Sequence, residues 1–462
     1  MSRPAADTPT IAAISTPPGA GGIGIIRISG PQCLPLLQTI FRPHGASCPF
    51  VSHHLYYGRI VRPADGRIID EVLAVYMRSP RTYTREDVAE IHCHGSFLVL
   101  QNILELTLSL GITLAHPGEF TKRAFLNGRI DLTKAEAVID ILSAKTRKGV
   151  DLAQEQLAGA LFSRIDSIRN ELVQIRAAVE VALDFPDEDV EIVNREQVLD
   201  QIRKNVERPL RDLLRSADDG RIFREGISVV IVGLPNVGKS SLLNTLLREE
   251  RALVTAIPGT TRDTIEEVVD IEGIPVRLVD TAGIREHADE VEALGIERAR
   301  TLINLADLIL FMVDGSQRIT GADLDLLQTI IHKPLIIVIN KIDRGEDGCG
   351  EVEMFKDKVV VKVSAKKQIG ITELRKAIFR MVTTGKEQWQ EDACAPNIRH
   401  KDALVRAVRA CRLVEDGLHN GLTNDLLAVD LQGCLDQLNE IVGETTTEDV
   451  LDAVFSKFCI GK

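Results

Sequence analysis

The segment Gly233-Leu-Pro-Asn-Val-Gly238-Lys239-Ser240 has the residue types and spacing to hold a phosphate chain. Its glycines let the backbone wrap an anion closely, so that successive N–H groups from Asn236, Val237, Gly238, Lys239, Ser240 and Ser241 point at it. Lys239 would reach the outer phosphates, and the Ser240 hydroxyl would ligate magnesium. The apolar run from Ile227 to Val232 precedes the segment and an amphipathic stretch from Ser241 to Leu247 follows it. That context predicts a buried strand, a phosphate loop and a helix.

Three later segments specify the nucleotide. Asn340-Lys341-Ile342-Asp343 follows the run 334–339, which puts a carboxylate at the carboxyl end of a buried strand, where open α/β sheets bind ligands. Guanine offers N1–H and a 2-amino group side by side to Asp343. Adenine offers an acceptor and nothing, and would leave the carboxylate unpaired. Asn340 would tie this segment to the phosphate loop, and the Lys341 stem would cover one face of the base. Ser364-Ala365-Lys366, after the run Val359 to Val363, would supply a backbone N–H to the guanine oxygen. Asp280-Thr281-Ala282-Gly283 closes the run Val276 to Val279; Asp280 would hold the magnesium shell through water and the Gly283 N–H would sense the terminal phosphate. Gly259-Thr260-Thr261-Arg262-Asp263 suits a loop that brings the Thr261 hydroxyl to the metal.

Ile284 stands where Ras-type enzymes place a water-orienting glutamine, and an apolar side chain cannot orient water. The acidic run Glu286, Asp289, Glu290, Glu292 offers carboxylates instead. Arg262 and Arg285 are open to two readings, charge stabilisation or solvated switch arginines.

These motifs need a frame. Residues 1–120 mix strand runs (Ile23 to Ile28, Val72 to Tyr76, Val88 to His92) with one helix, Ser96 to Leu110, as in a small α+β domain. Residues 121–219 and 386–462 carry apolar positions at spacings of three and four, as long helices do. Residues 220–385 hold every nucleotide motif. The expectation is a multidomain chain: an N-terminal α+β domain, a discontinuous helical domain and, inserted into it, a Ras-like P-loop GTPase domain with a mostly parallel sheet. Loop motion at the nucleotide could then be levered onto the host.

Of the 462 residues, 44% are hydrophobic, and no apolar run approaches the ~18 residues a bilayer helix needs. The N-terminus is broken by Pro4, Asp7 and Pro9, unlike a signal peptide, and the eight cysteines include no CxxC pair. Both point to a reduced, cytoplasmic setting with no membrane partner. A net charge of −12 argues against coating nucleic acid through the overall field, so any RNA contact is local or supplied by a partner.

Three motifs are traps. Gly19-Ala-Gly-Gly-Ile-Gly24 matches a dinucleotide fingerprint but leads into the strand-like Ile25 to Ser29 and then Gly30-Pro31, where the fingerprint requires a helix. His92 and His94 share a strand face yet lack a third ligand of matching spacing. Cys459-Ile460-Gly461-Lys462 fits a prenylation box poorly; the plain reading is a buried cysteine at a helix end with a frayed tail.

TPPGxGGIGIIRISGP at 16–31, PGEFTKRAFLNGRIDL at 117–132, DFPDED at 184–189, GLPNVGKSSLLN at 233–244, IPGTTRD at 257–263, DTAGIR at 280–285 and the terminal FCIGK together resemble the MnmE (TrmE) family of tRNA uridine-modifying GTPases, over the full length of the chain. The resemblance implies a homodimer that works with an FAD-dependent partner, MnmG (GidA), in a heterotetramer or larger complex. The pair adds an aminomethyl-type or carboxymethylaminomethyl group to C5 of the wobble uridine (U34) of certain tRNAs. It implies a 5-formyltetrahydrofolate, or related one-carbon folate, at Arg27, Glu90, Arg129 and Lys462. Arg129 stands where many members carry lysine, keeping the charge but not the geometry.

The resemblance also implies GTP contacts through Thr255, Ala256, Ile257, Pro258, Gly259 and Thr260, besides Asp280, Thr281, Ala282 and Gly283. A potassium ion would replace an arginine finger, held by the Asn236 side chain and the backbone of Thr255, Ile257 and Thr260. Glu292 matches the carboxylate that orients the attacking water, beside Lys239 as the phosphate-binding lysine; Cys459 matches a functional cysteine, in chemistry or in packing. The expected activity is potassium-stimulated, magnesium-dependent GTP hydrolysis in tRNA modification. Two rivals are a GTP-gated ribosome-assembly switch, for which no RNA-binding module such as a KH loop is found, and a small-molecule kinase, which has no use for NKxD and SAK.

Overall fold

The computed structural model describes residues 8–45, 49–184, 194–249, 267–280, 301–345, 353–383 and 394–462. Two sheets and a long-helix region account for them. The first sheet contains β1 (Ile11–Ile14), β2 (Gly21–Ser29), β3 (Phe41–Pro43), β4 (His54–Val61), β5 (Ile68–Met77), β6 (Val88–Gly95) and β7 (Thr113–Leu114), in the order β3-β4-β5-β6-β2-β1-β7. All neighbours are antiparallel except β1 and β7. Helices Cys33–Ile40 and Phe97–Ser109 cover one face through Leu37, Ile40, Leu100 and Ile103, which pack on Ile26, Ile28, Ala74 and Ile91.

The expected strands and helix are present, the strands longer than read. Strand β4 and helix Cys33–Ile40 were not expected. In β4 the sequence HLYYGRIV hides its alternation behind Gly58, whose missing side chain makes room for the Phe41 ring. The Gly19–Gly24 segment enters strand β2 rather than a helix, which excludes the dinucleotide fingerprint. His92 bonds Glu90 and His94 bonds Asp70, and no metal-holding cluster exists among the described residues.

The second sheet contains β8 (Ile227–Val232), β9 (Glu267–Ile271), β10 (Ile274–Asp280), β11 (Leu308–Asp314), β12 (Leu335–Asn340) and β13 (Val359–Lys362), in the order β13-β12-β11-β8-β10-β9. Only the β9–β10 pair is antiparallel. Two hydrophobic cores flank this sheet. One packs Leu242, Leu246, Leu374 and Ile378 on one face, and the other packs Leu327 and Ile330 on the opposite face. Burial on both sides explains why β8, β11 and β12 read as mostly apolar runs, interrupted only by Ser228 and by the polar residues Asp314 and Asn340 that end two of them.

The helical region is formed by stretches before and after this sheet. Ala160–Asp184, Arg208–Glu225, Ile398–His419 and Asn424–Val442 share one core that includes Ile165, Leu172, Leu210, Leu404, Cys411 and Leu438. A Cβ at Gly220 would strike Ala395, so the two chain crossings into and out of the second sheet lie in contact. The sheet unit is also tied to the helices where the Thr146 hydroxyl donates to the Gly273 carbonyl at 2.9 Å and where Phe223 packs on Phe379.

A buried polar clamp joins the stretches. Glu136, on helix Leu132–Ser143, accepts from the Arg399 Nε and Nη2 at 2.9 and 2.8 Å, from the Asn397 amide at 2.9 Å and from the His400 Nε2 at 2.6 Å. The His400 Nδ1 accepts from the Asn397 backbone N–H at 3.1 Å, so Nε2 carries the proton and the ring is neutral, in line with burial holding its pKa down. Burial alone would raise Glu136, but His400 and Arg399 hold the carboxyl well below the usual carboxylate range. Among the described residues no helix is long and apolar enough to cross a membrane.

Candidate functional site

Strand β8 ends at Val232 and helix Lys239–Glu249 begins after the six residues 233–238, so the connecting loop crosses the carboxyl edge of the sheet. Asn236 and Gly238 take the left-handed conformation, with φ of 64° and 104°. That geometry turns successive N–H groups inward, as a phosphate nest requires. A Cβ at Gly238 would collide with the Asn340 Nδ2, and one at Gly233 with the Met312 carbonyl. Gly238→Ala should therefore lower the unfolding free energy by about 1 to 3 kcal/mol, seen as a smaller urea midpoint. The Lys239 ammonium is held at the loop by the carbonyls of Gly233 and Leu234, at 3.0 and 2.9 Å, and Ser240 and Ser241 occupy the first helical turn.

Asn340 joins three motifs. Its Nδ2 donates to the Val237 carbonyl at 2.8 Å and its Oδ1 accepts from the Ala365 N–H at 3.0 Å. The side chain is 3% exposed, so both bonds are made away from water. The Thr245 hydroxyl, nearly two turns into the phosphate-loop helix, donates to the Ala365 carbonyl at 2.9 Å and closes the ring. Lys341, at φ 65°, donates from Nζ to the Asn236 carbonyl and to Asp314 Oδ2, both at 2.7 Å. Asp343 follows within helix Ile342–Arg344, and its Oδ1 accepts from the buried Ser364 hydroxyl at 2.6 Å. That bond, against an opposing burial effect, lowers the carboxyl and keeps it ionised. An ionised carboxylate fixed at one oxygen suits a base edge with two adjacent donors.

Asp314 was not anticipated. It sits at the carboxyl end of β11 in register with Asn340 and anchors both Lys341 and Ser316. Burial would raise it, but the Lys341 and Ser316 hydrogen bonds bring it below its ordinary value. A carboxylate closing the apolar run 308–313 was the available signal.

Asp280 closes β10, paired in register with Ile231, and nothing is described of its side chain. Thr255, Ala256, Ile257, Pro258, Gly259, Thr260, Thr261, Thr281, Ala282, Gly283 and Glu292 lie outside the described residues, as do Arg262, Ile284 and Arg285.

A second polar site lies on the first sheet. Arg27 and Glu90 pair across β2 and β6, Nε to Oε1 at 2.9 Å, and His92 Nε2 lies 3.2 Å from Glu90 Oε2. The His92 bond, against burial and helped by Arg27, lowers the Glu90 carboxyl. Gly461, at φ 96°, lies against the Ile14 backbone, and its carbonyl accepts from the Ser15 hydroxyl at 3.1 Å and Arg27 Nη1 at 3.5 Å. The tail is therefore held rather than frayed, and Cys459 is exposed, not a buried helix-end cysteine. Arg27, Glu90, Tyr83, Val138 and Lys462 line a cavity of about 280 Å³. Burial and the nearby Arg27 push the Lys462 ammonium down. Arg129 lines an adjoining cavity, its guanidinium 4.8 Å from the Tyr83 ring centre.

Comparison with known proteins gives the lineage. The family profile for the GTP-binding protein TrmE N-terminus matches residues 10–129, and that for the MnmE helical domain matches residues 132–459. A protein of Desulfotalea psychrophila named tRNA modification GTPase MnmE is 60% identical, over 99% of this chain and 99% of its own. Proteins of the same name from Alkaliphilus oremlandii and Thermoanaerobacter pseudethanolicus are 47% and 46% identical, each over 98% of this chain and 99% of their own. With two profiles in tandem and near-complete coverage by relatives of this identity, the chain belongs to the MnmE (TrmE) family.

Proposed function

We propose that this GTP hydrolase of tRNA modification runs a potassium-stimulated cycle in the cytoplasm and, as a homodimer working with an FAD-dependent partner of the MnmG type, modifies C5 of the wobble uridine. The observation that carries the nucleotide half is Asn340, whose two buried bonds hold the phosphate loop and the Ser364-Ala365 turn in one frame around Asp343.

In this reading the loop N–H groups and Lys239 bind the phosphates, Asp343 reads guanine, and the Ala365 region meets the guanine oxygen. Magnesium would be held by Ser240 and Thr261; it would supply charge neutralisation at the phosphates. Potassium would be held by the Asn236 side chain with the backbone of Thr255, Ile257 and Thr260. The Asn236 side chain is exposed beside the loop, which fits a ligand group open to an incoming ion. Glu292 would orient water where Ile284 cannot.

The cavity beside Arg27 and Glu90 fits a one-carbon tetrahydrofolate: it pairs a guanidinium and a carboxylate with an aromatic wall, and a pterin edge offers both donors and acceptors. Arg27, Glu90 and Lys462 would hold the ring. Cys459, three residues before Lys462, is exposed, which fits a part in chemistry better than one in core packing.

GTP turnover by the purified chain should be about tenfold or more faster in potassium than in sodium chloride, and Asn236→Ala should bring the two rates together. Equal wild-type rates in both salts would remove the cation from the mechanism. Loss of the wobble modification from the tRNA of cells lacking the gene tests the tRNA half.

A further inference from the structure

We propose that the open cavity next to the Arg27–Glu90 pocket receives the γ-linked glutamate tail of a folate, so that the chain selects polyglutamylated over monoglutamylated forms. This rests on the folate reading above. The two cavities share Met77 and Tyr83 as a common wall. The outer one, about 470 Å³, is lined by three arginines, Arg81, Arg85 and Arg129, together with Thr82 and Tyr83. None of the three has a carboxylate partner among the described residues, whereas Arg27 is paired with Glu90, and Arg123 with Glu86 and Glu119. In a chain of net charge −12, three such cations around one concavity run against the overall field and mark a place for an anion.

The loop that carries them is built to hold position. The Arg81 carbonyl is bonded by His53 Nε2 at 3.0 Å, and the Thr82 hydroxyl donates to the Glu86 carbonyl at 2.5 Å. The Tyr83 hydroxyl lies 2.9 Å from that of Thr121. Arg85 sits at φ 59°, a conformation disfavoured for a residue with a side chain, and its Nη1 is fixed at 2.9 Å on the Asn127 carbonyl. The Arg129 guanidinium sits over the Tyr83 ring, 4.8 Å from its centre, and donates to the Tyr83 carbonyl at 2.8 Å. A ligand whose ring lies against Arg27 and Glu90 would pass its tail over the Tyr83 ring into this basic cup. Each further γ-glutamyl unit adds one carboxylate, and planar guanidinium groups match carboxylates two bonds at a time.

The test is equilibrium binding of 5-formyltetrahydrofolate as its monoglutamate and its pentaglutamate, by calorimetry on the full chain. The wild type should prefer the pentaglutamate by about tenfold or more at low salt, with the preference shrinking as salt rises. Arg81→Ala/Arg85→Ala should reduce the preference to below about threefold, and Arg81→Lys/Arg85→Lys should keep part of it. Equal binding of both forms by the wild type, or a preference that survives the alanine pair, overturns the proposal. Loss of tRNA affinity in the alanine pair, with both folates bound equally by the wild type, would assign the arginines to nucleic acid instead. If the wild type binds neither form, the folate reading itself fails.

Discussion

Replacing Asp343 with asparagine is expected to weaken GTP binding by about 10- to 150-fold and to make xanthosine triphosphate the better ligand. The reason lies in how the carboxylate is held. Ser364 donates to one oxygen at 2.6 Å and keeps the group ionised, so the carboxylate presents acceptors to two neighbouring donors on guanine. Asparagine can keep the Ser364 bond through its own oxygen, which leaves an NH2 facing the base. That NH2 opposes the guanine donors but meets the C2 oxygen of xanthine. Competition titrations with both nucleotides check it. An unchanged order of affinities would place the base elsewhere, whereas parallel loss of both would indicate a collapsed loop.

Glu136→Ala should cost about 3 to 5 kcal/mol of unfolding free energy, the penalty of leaving buried partners of a charge uncompensated. Arg399, Asn397 and the fully buried His400 would each lose a bond. Because the clamp joins helix Leu132–Ser143 to helix Ile398–His419, the loss should appear in the helical unfolding transition followed by circular dichroism in urea. The sign with pH follows from the direction of the shift. The folded carboxyl titrates below its unfolded value, so its contribution is complete above about pH 4.3 and disappears as the pH falls toward the lowered folded value. Wild type and variant should therefore converge in strong acid. A variant as stable as the wild type at neutral pH would mean that the clamp adds nothing net.

Much of the nucleotide region was legible because its strands are buried on both faces. Ile227–Val232 and the run ahead of Asn340 stand out as apolar blocks, and each delivers a motif at its carboxyl end. Asp314 was not, since its partnership with Lys341 depends on β11 lying beside β12 in register, a fact of pairing between segments that no local pattern carries. The outlying strand β4 was obscured by a glycine needed for close packing on Phe41. The cavity on the first sheet was reachable only through family resemblance. Arg27, Glu90 and Lys462 have no spacing rule in common, and what unites them is a cross-strand pair and a tail that returns from far along the chain. The Glu136 clamp was hidden for the same reason, with partners more than 260 positions apart.

That returning tail has a consequence for synthesis. Gly461 reaches Arg27 across a separation of 434 residues. At roughly 5 to 20 residues per second, a ribosome would need about 20 to 90 s after making the first wall of the cavity to deliver the last. The first sheet, complete by β7, can fold during that interval with the pocket standing open on one side. Closure of the cavity would consequently wait until translation had passed Gly461, and a product truncated before it would leave the pocket open however well its leading domain had folded.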